Sequence, residues 1–146
     1  MYDYDLFITD YAYKNDVPVF GICLGMQLLF EGGYEYGVTE GLGLLRGVVR
    51  PISEIIPKEL KIPHIGWNAL HIKKEHPIFK YVKEGDYVYF VHSYYAEGCE
   101  DSLIATAEYG RELTAMVAKD NVAGAQFHPE KSGDIGEQII KNFLAL

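Results

Sequence analysis

Cysteine is nearly absent: Cys23 and Cys99 are the only two in 146 residues. Two thiols make no disulfide framework for a chain of this size, so both are expected to be reduced and the fold must rest on a hydrophobic core. No Cys/His pair has metal-ligand spacing, so no metal is expected, and nothing in the chain asks for a cofactor. Basic residues are in deficit. Lys and Arg number 13 against 21 Asp and Glu, a formal net charge of -8, which argues against a nucleic-acid or anionic-membrane partner. The longest apolar candidate, Val17 to Phe30, is interrupted by glycines and by Gln27 and falls short of a bilayer span. The opening Met-Tyr-Asp-Tyr-Asp lacks the basic start of a signal peptide, so a cytoplasmic location is expected. Repeats, low-complexity tracts and linkers are missing too, which leaves one domain over residues 1–146.

What is present is an α/β opening followed by strands. Residues 3–14 place Tyr4, Leu6, Phe7, Tyr11 and Tyr13 among acids, as a short amphipathic helix does. The run Val17 to Ile22 suits a strand buried on both faces. A helix is expected over 24–31, closed by Gly32-Gly33. Strands are expected over 43–52, 67–73, 86–92, 103–108, 113–118 and 121–127, with turns at Gly110 and Asp120-Asn121. Asp134 or Ser132 could cap a last helix whose Ile135, Ile139, Ile140 and Phe143 share a face.

Two motifs carry chemistry. Gly21-Ile22-Cys23-Leu24-Gly25 has the layout of a nucleophile elbow, G-x-C-x-G, between strand and helix. Cys23 would then sit at a helix N-terminus, where a thiolate is favoured. The competing reading is an inert core cysteine. Much later, Gln126-Phe127-His128-Pro129-Glu130 follows a strand, where α/β sheets put working residues. His128 can act as base and acid, with Glu130 holding its tautomer. Alone, each motif is ambiguous; together, Cys…His-x-Glu makes a complete triad.

With these motifs on view, GICLGMQ and QFHPEKS resemble the class I (triad) glutamine amidotransferases. That resemblance implies a flavodoxin-like, doubly wound sheet and release of ammonia from glutamine through a cysteine thioester. Pro63-His64-Ile65-Gly66-Trp67-Asn68 and Tyr89-Phe90-Val91-His92-Ser93-Tyr94-Tyr95 further resemble the glutaminase subunits of imidazole glycerol phosphate synthases, which serve histidine biosynthesis. By resemblance, Cys23 is the nucleophile, His128 the base and acid, and Glu130 the orienting carboxylate. The Leu24 backbone N–H serves the oxyanion. Gln27, Glu35, His92, Ser93 and Tyr94 match substrate-contacting positions. Ile65, Gly66, Trp67, Asn68 and Lys131 match positions facing a partner cyclase, a (β/α)₈ barrel that receives the ammonia.

Each carry-over has a plainer competitor. Gln27 could be a polar helix face, and Glu35 a solvated loop residue. His92 at a strand end reads equally as a satisfied structural histidine. Trp67 could be core or interface anchor. His71 and His76 read as surface residues, and Cys99 as incidental.

One more lack bears on the family reading. Members carry further strands and a P-G-x-G-x-F loop before the cysteine strand, and that loop gives a second oxyanion donor. Here Met1 to Asp16 contains no glycine. The sequence is therefore expected to be an N-terminally truncated member, or one piece of a split protein, with strand 17–22 bare on one side and glutaminase turnover impaired. The alternatives weighed are the glutaminase domain of another amidotransferase, such as CTP synthase, and a non-catalytic partner-binding fragment.

Overall fold

The computed structural model describes residues 7–34 and 39–146, apart from the Tyr11 side chain. Its main sheet has five strands in the order β1 (Val19–Ile22), β11 (Val122–Ala125), β10 (Glu112–Lys119), β9 (Leu103–Glu108) and β6 (His71–Ile72). β1 runs parallel to β11, and the other pairs are antiparallel. A second sheet joins β3 (Thr39–Glu40), β2 (Gly32–Gly33), β4 (Val48–Pro51) and β8 (Tyr94–Glu97). A separate ribbon pairs β5 (His64–Ala69) with β7 (Tyr87–His92). The α-helices are α1 (Leu24–Leu28) and α2 (Gly133–Leu144), preceded by a π-type turn of helix over Phe7–Tyr13. This is the expected α/β class with an antiparallel remainder.

The parallel pair positions the site. In its register Gly21 lies opposite Gly124 and Ile22 opposite Ala125. The two facing glycines make a notch in the sheet, and α1 lies in it. A Cβ on Gly21 would come within 2.6 Å of the Gly25 backbone, and one on Gly124 within 2.5 Å of Met26 Cγ. Met26 is fully buried there, with Leu29, Phe30, Leu45, Val117 and Val122 around it. On the other side of the molecule, α2 sets Ile139 into a core of Phe90, Phe127, Met116 and Ala125.

Several expectations need correction. Val19, Phe20 and Ile22 are only half-buried; among the described residues β1 pairs with β11 alone, at the edge of the sheet. The helix after the elbow stops at Leu28, since Gly32-Gly33 is drawn into β2 rather than closing the helix. Gly25, unlike Gly21, has open space where its Cβ would be. The segment expected as one strand over 67–73 is divided: β5 ends at Ala69, and His71-Ile72 joins β9 of the main sheet. No side chain caps α2. Ser132 Oγ donates to His128 O (2.6 Å) and accepts from Tyr89 N–H (2.9 Å), which ties the turn to β7. Ile140 is half-buried beside Glu130 and Lys141 rather than in the core.

Candidate active site

The parallel pair carries its two motifs to the same end of the sheet. Cys23 N–H continues the ladder by donating to Ala125 O (2.7 Å), so the residue after β1 lies beside the residues after β11. Open α/β sheets place ligands at this carboxyl end. Cys23 has φ 53° and ψ -108°, a left-handed conformation that costs a non-glycine residue on the order of 1–3 kcal/mol. An inert core cysteine has no reason to hold that strain, and Cys23 is only half-buried. Both points favour the nucleophile reading.

The sulfur touches two groups. Its S–H faces Val91 O at 3.8 Å, and Gln126 Nε2 donates to it at 3.7 Å. Burial pushes the thiol pKa up, and the Leu24 backbone N–H and the Gln126 amide only partly oppose this. The thiolate expected from a helix N-terminus is therefore not favoured in this arrangement, because α1 is only five residues long and burial outweighs the two donors.

His128 stands on the turn after β11. Its backbone N–H donates to Tyr89 O (3.0 Å), and Pro129 starts a 3-10 turn over Pro129–Lys131. Its Nδ1 meets Glu130 Oε1 at 2.5 Å. With Nδ1–H donating to the carboxylate, Nε2 is the free basic atom. The dyad expected from H-P-E is formed; a direct His128 bond to the sulfur is not among those described.

Gln27 sits one turn into α1. Its Nε2 donates to Gln126 Oε1 (3.2 Å) and Tyr94 O (3.5 Å). The Tyr94 carbonyl thereby joins the site. His92 is buried, with Nδ1 on that same carbonyl (2.8 Å) and Nε2 on His64 Nδ1 (2.9 Å). Both ring nitrogens are engaged, which fits the structural reading of His92. Ser93 follows β7 and is half-buried; its carbonyl accepts from Ile52 N–H (2.9 Å). Glu35 lies outside the described residues.

The strand pleat splits the expected partner face. Ile65 and Trp67 point outward, 58% and 52% exposed, with Tyr89 edge-on to Trp67. Asn68 turns inward, its Oδ1 on His64 Nε2 (3.0 Å) and its Nδ2 on Glu108 O (2.8 Å). Gly66, at φ 139°, takes the inner side next to it. Lys131 is exposed at the end of the turn carrying His128 and Glu130. His76 is less superficial than expected: it is half-buried and its Nδ1 accepts from Ile78 N–H. Sequence reasoning passed over Gln126 as a site residue. The available signal was a lone amide in the otherwise apolar run Val122 to Phe127.

A cysteine on a strained elbow and a His–Glu dyad thus both stand at the carboxyl end of a parallel strand pair. The chain belongs to the class I glutamine amidotransferase family, whose model, "Glutamine amidotransferase class-I", matches residues 3–146. Within that family it is 58% identical over 127 residues to imidazole glycerol phosphate synthase subunit HisH of Caldanaerobacter subterraneus, covering 86% of this chain and 61% of that one. The same subunit of Methanocaldococcus jannaschii is 48% identical over 139 residues, covering 94% of this chain and 69% of that one. The chain thus spans about 60% of the length of several curated relatives. Solved structures share the fold. A glutamine amidotransferase superposes with a TM-score of 0.70 at 17% identity, over 99% of this chain and 68% of that one. The glutaminase domain of Trypanosoma brucei CTPS does so with 0.66, also at 17%, over 98% and 66%.

Proposed function

We propose that this chain is the catalytic part of a glutaminase subunit of imidazole glycerol phosphate synthase, which hydrolyses glutamine to glutamate and ammonia for a partner cyclase with a (β/α)₈ barrel. The observation that carries the reading is Cys23 at φ 53°, bonded to the end of β11, the strand that leads directly into the His128–Glu130 dyad. Ionised Cys23 attacks the amide carbon of glutamine. The Leu24 N–H donates to the oxyanion that forms. His128, protonated at Nε2, gives its proton to the departing nitrogen, so ammonia leaves and a thioester remains. His128 then takes a proton from water, the hydroxide adds to the thioester, and glutamate leaves as the thiolate re-forms. Glu130 stabilises the imidazolium in both halves. Gln27 and the Tyr94 carbonyl line the substrate side. Ile65, Trp67 and Lys131 are the outward residues that support a partner-facing surface.

The test is glutamate release by the chain with and without a barrel cyclase, beside its Cys23→Ala variant. Cysteine-dependent release that rises with the cyclase supports the reading. Release that persists in Cys23→Ala refutes it.

A further inference from the structure

Gln126 is fully buried, one residue past the last rung of the β1–β11 ladder, and its backbone N–H is taken by Ala115 O (2.8 Å). Its side chain is held by contacts that fix which end is which. The Tyr94 carbonyl can only accept, so the amide group of Gln27 near it must be the NH₂. That NH₂ also donates to Gln126, so the Gln126 atom facing it must be Oε1. The remaining end, Nε2, then points at Cys23 Sγ, 3.7 Å away. Flipping either amide would set acceptor against acceptor or donor against donor. His92 Nδ1 holds the same Tyr94 carbonyl from the other side.

The sulfur consequently has partners for both protonation states. The Val91 carbonyl takes the S–H of the thiol, whereas the Gln126 N–H joins the Leu24 backbone N–H in serving the thiolate, because a donor to the charged form favours that form. We propose that Gln126 is the side chain that supports and aims the Cys23 thiolate, with Gln27 and the Tyr94 carbonyl fixing its orientation. Its catalytic meaning rests on the glutaminase reading, but its effect on Cys23 ionisation does not. His128 is thereby left free to serve the leaving nitrogen and water.

The experiment is the pH dependence of iodoacetamide alkylation, read at the Cys23 peptide by mass spectrometry so that Cys99 is counted separately. Gln126→Met keeps the length and removes the donor; Gln126→Glu replaces the donor with a carboxylate oxygen. Alkylation at pH 7.5 is expected to slow about tenfold in Gln126→Met and more in Gln126→Glu, the scale of losing one hydrogen bond to a charged group. The limiting rate at high pH should stay near that of the parent chain. Gln27→Met, which leaves Gln126 in place but unclamped, should slow the reaction at pH 7.5 in the same direction, by less. An unchanged profile in the folded Gln126 variants overturns the proposal. So does a lowered high-pH limit with no shift in profile, which marks a merely structural role. If the Gln126 variants fail to fold, Gln27→Met decides, and a parent-like profile there overturns it. A chain with no glutaminase turnover that still shows the shift separates failure of the functional reading from failure of this one.

Discussion

Mild acid should destabilise this protein through the His64–His92 pair. The hydrogen-bonded chain running from Glu108 O through Asn68, His64 and His92 ends on Tyr94 O. Both ends are carbonyl acceptors, so two neutral rings leave the chain one proton short. These bonds favour an added proton. Burial opposes it and is the larger effect: it lowers both rings and takes His92 from the ordinary 6.5 to about 4. The unfolded chain, whose histidines are solvated, therefore takes up protons first as pH falls. Stability is intact above pH 6.5, declines below it, and this contribution is gone below about pH 4. Integrating the His92 shift alone down to pH 5 gives a loss of about 2 kcal/mol. At a urea slope of about 2 kcal/mol per molar, the midpoint should fall by about 1 M between pH 7.5 and pH 5.0. His64 adds to the loss in the same direction. Two measurements check this: urea unfolding at the two pH values, and the ¹⁵N spectrum of labelled histidine in the folded chain. His92→Asn, which can still donate to Tyr94 O, should be less stable at pH 7.5 and flatter across the range. An unchanged or rising midpoint on acidification would refute the argument, since the shared proton would then outweigh burial. So would a His92 ring that titrates near 6.5 in the folded chain.

Three further outcomes are expected. Gly21→Ala sets a methyl 2.6 Å from the Gly25 backbone, which cannot yield as a side chain would. It should cost about 1–3 kcal/mol in urea unfolding and slow Cys23 alkylation, because α1 must lift off the sheet. Cys23→Gly relieves the left-handed conformation and should raise thermal stability by about 1 kcal/mol while abolishing turnover; a loss of stability would show that the elbow is not strained. Asn142 is buried, and its Nδ2 donates to Ile78 O (2.8 Å) and Lys80 O (2.7 Å). Asn142→Leu orphans both carbonyls and should cost about 2–3 kcal/mol, with the 3-10 turn over Pro77–Phe79 the first segment to lose amide-exchange protection.

How much was legible in the sequence follows the range of the interactions. Strands 103–108 and 87–92 are read well because their β-branched and aromatic residues are local signals. The elbow is read because strand, turn and glycine are contiguous. The H-P-E dyad is read because Glu130 reaches back only two residues. Failures came wherever a distant partner decided. Gly32-Gly33 looks like a helix stop, yet β4 makes it a strand. Ser132 looks like a helix cap, yet Tyr89 claims its hydroxyl. Asn68 is expected on the partner-facing surface, yet His64 and Glu108 turn it inward. Gln126 carried no signal of its function beyond its polarity, because its partners Gln27, Tyr94 and Cys23 all come from other elements.

The glycine pair explains why the elbow holds its shape although, among the described residues, its strand has a neighbour on one side only. Gly21 and Gly124 belong to separate motifs and become one feature only when β1 and β11 run parallel in register. Their missing side chains let the α1 backbone rest on one strand and Met26 rest on the other. Helix α1 therefore bridges the two strands, and its burial of Met26 offsets the conformational cost at Cys23. The clamp is common to the parts of the site. The same register that seats Met26 puts Cys23 N–H on Ala125 O and Gln126 beside the sulfur. A substitution at Gly124 should thus act on the nucleophile without touching it. A Gly124→Ala methyl meets Met26 Cγ at 2.5 Å, a side-chain carbon rather than backbone. Gly124→Ala should then be milder in stability than Gly21→Ala, yet still slow Cys23 alkylation as Met26 shifts the elbow. Equal stability losses in the two variants, or full Cys23 reactivity in both, would show that the glycine notch does not hold the elbow.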